Sequence, residues 1–215
     1  MYLTHSIECL HRACQSLPSR LNASAYLEYA LNEKIDIMAT GYVFKSSDYD
    51  ALGGIPTHYP NLIYADLQLW LDLTKKSYLA VDPSAQFSFR IHASTTKTSK
   101  DSILLDAFII FLDYLNQLKT ASSSLGEVIH ANAQKFCEST TKAIAHRLLR
   151  TPRNLRKGLS IDLMIEKIAA KSKILEISYE PLKINSIRLA RTIETYPILN
   201  DLFLLFKKLY KKPVL

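Results

Sequence analysis

Glycine, cysteine and long apolar runs are scarce in this chain, and each scarcity argues against a class of protein. Only five of its 215 residues are glycine and no Walker or GxGxxG sequence occurs, so a phosphate-binding loop built from backbone amides is not expected. HExxH, CxxC and GxSxG sequences are also absent, which removes the usual signatures of zinc proteases, CxxC centres and serine hydrolases. We therefore expect no cofactor, and an enzyme is the less favoured interpretation.

Three cysteines are too few for a disulfide framework. Cys9 and Cys14 are expected on a helix over 6–17, where a five-residue spacing points them about 140° apart. His5 and His11 lie in the same segment, but the four side chains do not share one face, so they do not predict a metal site. No apolar run of signal-peptide length is found at the start of the chain. We expect a reducing, cytoplasmic location.

The most apolar stretch, residues 101–119, predicts a central helix. No uncharged apolar run reaches the ~20 residues that a membrane span needs, so no transmembrane segment is expected. A helix that is apolar around most of its circumference has to be buried. We expect Phe108, Ile109 and Leu112 to be almost fully buried and Asp101 to cap the helix. One narrow polar seam should reach water, and it consists of Ser102, Asp106, Asp113 and Gln117.

The first hundred residues predict a mixture of helices and short strands. Amphipathic helices are expected at 22–34 and 62–75. Tyr42–Phe44 is rich in β-forming residues and predicts a strand, while 78–81 and 87–93 predict a β-hairpin. The expected fold class is α+β and predominantly helical. It combines a small antiparallel sheet in the N-terminal half with a helical C-terminal half around the central buried helix.

The charge divides the chain at the same place. Residues 1–100 hold nine basic and nine acidic residues, whereas residues 101–215 hold eighteen and eleven, so the whole net charge of +7 lies in the second part. A polar stretch, 92–100, separates the two. We therefore expect a mixed N-terminal part, 1–100, and a basic helical C-terminal part, 101–215, or one continuous domain. The basic excess favours an acidic partner: nucleic acid, an anionic membrane or an acidic protein face.

The basic excess is concentrated in residues 142–173, which hold nine Lys+Arg and two acids. Arginine is suited to forked contacts with phosphate. The first hypothesis is therefore a non-enzymatic nucleic-acid-binding protein, either DNA or RNA. The alternative is a protein–protein adaptor or assembly subunit with an acidic partner. The candidate binding residues are Lys142, His146, Arg147, Arg150, Arg153, Arg156, Lys157, Lys167 and Lys171.

A helix expected over 127–150 carries the first of these cations on the face opposite its apolar stripe. Pro152 should end this helix. Because few acidic residues are near in sequence, we expect Arg150, Arg153 and Arg156 to be exposed and free of acidic partners.

Three further helices are expected after this break. Ser160 should cap the first, whose sequence IEKIAAKS resembles the first helix of a helix-turn-helix. The following ILEISYEP is β-like and contains Pro181 where a recognition helix should run, which argues against that motif. Asn185 should cap the second helix and Pro197 should open the last.

The loop at 46–61 supports a second alternative, an enzyme. It contains Asp48, Asp50 and His58, which are residue types used in acid–base or metal chemistry. Aspartate also populates loops because it caps helices and turns the chain. The spacing matches no catalytic pattern, so we predict that these three side chains do not converge on one point.

Overall fold

The computed structural model describes residues 17–35, 37, 41–82 and 100–209. Within these ranges the chain is predominantly helical, with one two-stranded antiparallel sheet in the N-terminal half, as the sequence predicts. None of the described helices has the length and hydropathy of a membrane span. The elements are β1 (Arg20–Leu21), α1 (Ala23–Leu31), α2 (Ser46–Ala51), α3 (Ala65–Thr74), β2 (Leu79–Ala80), α4 (Asp101–Ala121), α5 (Ser123–Arg150), α6 (Ile161–Leu175), α7 (Asn185–Thr195) and α8 (Pro197–Leu209).

The predicted central helix is α4, and it packs against both α5 and α6. Phe108 and Leu112 are buried as expected, with Phe111 beside them in the same core. Ile109 is only half-buried, which corrects the prediction for that residue, whereas Asp113 reaches solvent. The apolar majority of this helix is thus enclosed by its neighbours.

The start of α4 differs from the prediction. Lys100 is the N-cap residue and its side chain makes no capping hydrogen bond. Asp101 is buried in the first turn, where its carboxylate accepts a hydrogen bond from Nε of Arg147 at 2.7 Å. The Asp101 carboxylate, which we expected to cap the helix, therefore forms an ion pair with Arg147, a residue distant in sequence.

The N-terminal half confirms the helices better than the strands. Asn22 caps α1, because its side chain accepts a hydrogen bond from the backbone N–H of Ala25 at 2.8 Å. β2 pairs with β1, while the other predicted hairpin strand, 87–93, lies outside the described residues, as does most of the predicted helix over 6–17. The loop expected at 46–61 contains the short helix α2.

The strand predicted at Tyr42–Phe44 is wrong. These residues form irregular backbone, and the Val43 side chain is fully exposed. Tyr42 instead stacks on Trp70 with the ring centroids 4.3 Å apart. The two aromatic side chains that suggested a strand, Tyr42 and Phe44, both pack against the ring of Trp70.

The helices of the C-terminal half have the predicted order. Ser122 caps α5, and Ser160 caps α6 by accepting a hydrogen bond from the N–H of Leu163 at 3.1 Å. Asn185 is the first residue of α7 rather than its N-cap, which is Ile184. Residues 176–184 separate α6 from α7, and this is too long for the three- or four-residue turn of a helix-turn-helix. The β-like segment after α6 is not a strand.

Candidate nucleic-acid interface

The nine predicted cations divide into two groups, and the first group consists of the four that pair with acidic side chains of this chain. Lys167 and Lys171 on α6 reach the polar seam of α4, with Nζ 3.6 Å from Asp106 and 2.6 Å from Asp113. Arg147 pairs with Asp101. Two of the four residues in the seam that was expected to face water, Asp106 and Asp113, therefore form ion pairs with lysines of the neighbouring helix.

Arg156 also belongs to the first group, and it is the clearest departure from expectation. Its side chain is not exposed: the residue is 5% exposed, and Nη1 donates to the Glu194 carboxylate at 2.7 Å. Nε donates to the carbonyl oxygen of Thr151 at 2.7 Å. Burial lowers the pKa of the guanidinium, and the neighbouring Glu194 opposes this shift. After Pro152 the chain forms a 3-10 turn over Arg153–Leu155, so the spacing of α5 no longer sets the direction of Arg156.

The second group faces outward, and we refer to its five residues as the cationic surface. Three of them recur every four residues along the last turns of α5, and two lie in the connector to α6. All five are exposed, and no acidic side chain in the described ranges pairs with them. One guanidinium, that of Arg153, donates to the backbone carbonyl of Glu194. The cationic surface consists of Lys142, His146, Arg150, Arg153 and Lys157.

The His146 side chain shows the electrostatic character of this surface. Partial burial lowers its pKa first, and the neighbouring charges of Lys207 and Arg150 lower it further. The ring meets the edge of Phe203 on α8 at 6.4 Å between centroids. The part of this pKa shift that comes from Lys207 and Arg150 indicates a locally positive potential beside the ring.

Helix α8, which borders the cationic surface, has an unusual orientation that sequence reasoning missed. Asn200 is 2% exposed, and its side-chain amide donates to the carbonyl of Leu149 at 3.5 Å. Ile198 and Leu209, by contrast, are each 75% exposed. The sequence contains part of the signal, because six of the eight large apolar residues of this helix lie on one side, whereas the other two flank Asn200 on the opposite side.

The residues of the enzyme alternative do not assemble into a site. His58 lines a cavity of about 280 Å³ together with Gln68 and Asp72, but Asp48 and Asp50 are not among its lining residues. Asp72 accepts hydrogen bonds from the Tyr114 hydroxyl at 2.8 Å and from Lys75 Nζ at 3.0 Å. Among the described residues, no three His, Cys, Asp or Glu side chains are grouped to hold a metal ion.

Comparisons of this chain with protein-family models, with curated proteins and with solved structures found no match.

Proposed function

We propose that this protein binds a polyanion, in the first place nucleic acid, through the cationic surface and without catalysing a reaction. The observation that carries the proposal is the outward stripe Lys142, His146 and Arg150 on α5, continued by Lys157 in the connector. Exposed cations that no acid of the described chain neutralises favour an anionic partner. The other four predicted cations pair with acidic side chains of this chain and are not assigned to binding.

The size of the cationic surface sets the expected strength of its salt dependence. Each phosphate that the protein neutralises releases counterions, so affinity falls with salt concentration. About four phosphate contacts give a slope of log K against log salt of roughly −3 to −4. Such a small footprint predicts binding without strong sequence preference, since phosphate contacts position a protein but do not read bases.

The first prediction is that three charge reversals on the cationic surface abolish nucleic-acid binding. The variant combines Lys142→Glu, Arg150→Glu and Lys157→Glu and leaves the buried Arg156 intact. Fluorescence anisotropy of labelled single- and double-stranded oligonucleotides at about 50 and about 200 mM salt measures the affinity and its slope. The melting temperature should change little, because exposed charges contribute little to stability.

A matched control carries the same change in net charge on the other half of the chain. Lys45, Lys76 and Lys100 are exposed, and their combined replacement by Glu should weaken binding only through the overall charge. If the wild-type protein fails to bind at low salt, or if both triple variants lose the same affinity, the cationic surface is not a nucleic-acid site.

The second candidate function is that of an assembly subunit. The orientation of α8 favours it, because this helix exposes a row of apolar side chains. The apolar face of a protein helix can cover such a row, whereas the charged backbone of a nucleic acid cannot. If the protein is an assembly subunit, the cationic surface lies next to a protein–protein interface formed by α8. An acidic protein that competes with oligonucleotides for the wild-type chain, but not for the triple variant of the cationic surface, would move this candidate to first place.

A further inference from the structure

The apolar face of α8 points away from the rest of the described chain. Six large apolar side chains on it are exposed, and they span about 120° of the helix circumference. The side that meets the protein is mixed, since it combines the buried Asn200 and the half-buried Lys207 with two half-buried apolar residues, Phe203 and Leu204. A row of this kind marks an interaction surface rather than scattered surface apolarity. Its members are Ile198, Leu199, Leu202, Leu205, Phe206 and Leu209.

The spacing within this face matches the seam of a paired helix. Ile198, Leu202, Leu205 and Leu209 follow one another at intervals of four, three and four residues, which is the a/d repeat of helices packed side by side. Leu199 and Phe206 widen the seam by one position on the same flank. The partner that fits is therefore another helix with a similar apolar seam.

The residues on the two flanks of the seam indicate the identity of the partner helix. One flank is apolar, whereas the other carries Asp201 and Lys208, which are both exposed and lie seven residues apart. In an antiparallel pair related by a twofold axis, each flank faces the same flank of the partner. Asp201 of one copy then faces Lys208 of the other, twice, and such flanking charges set partner choice and orientation. The apolar flanks meet in the same way.

We propose that α8 binds α8 of a second copy of this chain, antiparallel, about a twofold axis near residues 203 and 204. In this arrangement Ile198 packs opposite Leu209 and Leu202 opposite Leu205, and both layers occur twice, as an isologous interface requires. A parallel pair would place Asp201 and Lys208 against the apolar flank instead. None of these residues belongs to the cationic surface, so the dimer is independent of the polyanion proposal.

Sedimentation equilibrium of the wild-type protein from about 1 to about 200 μM tests the dimer directly. We expect dissociation in the micromolar range, and a variant with Leu202→Gln and Leu205→Gln that stays monomeric at every concentration. The control replaces Leu155 and Ile174 by Gln, because these are 62% and 53% exposed but lie off α8, and it should dimerise like the wild type. Circular dichroism checks that each variant keeps its helix content.

Charge exchange tests the antiparallel register. Asp201→Lys alone places Lys opposite Lys at both ends of the pair, and Lys208→Asp alone places Asp opposite Asp. Each single change should weaken dimerisation by roughly tenfold, since two exposed ion pairs are replaced by repulsion. The double variant restores opposite charges and should restore the wild-type affinity.

Three results would overturn the proposal. They are a wild type that is monomeric at about 200 μM, a dimer that the paired leucine changes do not affect, and single charge changes that the double variant does not rescue. A monomer that binds vesicles of phosphatidylcholine and phosphatidylserine, and loses this binding with Leu202→Gln and Leu205→Gln, would assign the face to an anionic membrane instead.

Discussion

Glu194 connects three elements of the C-terminal half through one carboxylate. Oε1 accepts from the Arg156 guanidinium, and Oε2 accepts from the backbone N–H of Ile161 at 2.7 Å. That N–H lies at the start of α6, where the helix dipole favours a negative charge. The carboxylate thus neutralises a buried arginine and satisfies a helix terminus at once. This contact links α7 to the connector between α5 and α6.

The second prediction compares this buried pair with an exposed one. Glu194→Ala leaves the buried Arg156 charge without its acid and should lower the free energy of unfolding by about 3–5 kcal/mol. Asp162→Ala removes the partner of Arg191, a pair with both side chains about half exposed, and should cost less than about 1 kcal/mol. Urea unfolding followed by circular dichroism measures both. Equal costs would mean that the buried contact contributes no more than a surface pair.

At the scale of elements, the third prediction tests α4 as the centre of the core. Leu112→Ala removes a buried side chain of α4, the helix that packs against α5 and α6, and should lower the free energy of unfolding by about 2–5 kcal/mol. Ile109→Ala on the same helix is the control, because Ile109 is only half-buried and its truncation should cost clearly less. A cost below about 1 kcal/mol for Leu112 would show that α4 does not lie at the centre of the core.

The elements that the sequence predicts well are those specified locally. Asn22 and Ser160 cap the predicted helices, and the apolar period of 101–119 identifies the buried face of α4, because both signals act within a few residues. Tyr42–Phe44 was predicted wrongly because the ring of Tyr42 stacks on Trp70, which is remote in sequence.

The candidate site was likewise predictable only where its residues lie on one continuous helix. The outward direction of Lys142, His146 and Arg150 follows from the period of a continuous helix. Arg156 lies beyond the break at Pro152, where that period no longer applies, and its acid, Glu194, is 38 residues away. The apolar face of α8 was readable from the sequence, but which side of the helix meets the protein was not, since Asn200 is bound by distant residues.

At the scale of the whole molecule, the described core spans the point where the charge divides. α1 packs against α5, and the Asn32 side-chain amide donates to Asn132 at 2.7 Å. The Ser139 hydroxyl donates to Glu33 at 2.6 Å. Tyr64 stacks on Phe111 of α4 with the centroids 4.8 Å apart. Unfolding either part would therefore expose apolar surface on the other.

The last prediction follows from this shared core. Trp70 is the single tryptophan, is 5% exposed and lies before residue 100, so its fluorescence reports on the N-terminal part. Far-ultraviolet circular dichroism reports mainly on α4 to α8. The two signals should give coincident urea transitions, and Leu112→Ala should shift both by the same amount, because loss of the shared core removes support from both parts together. Two separate midpoints, with only the dichroism transition moved by Leu112→Ala, would instead establish two domains that unfold independently.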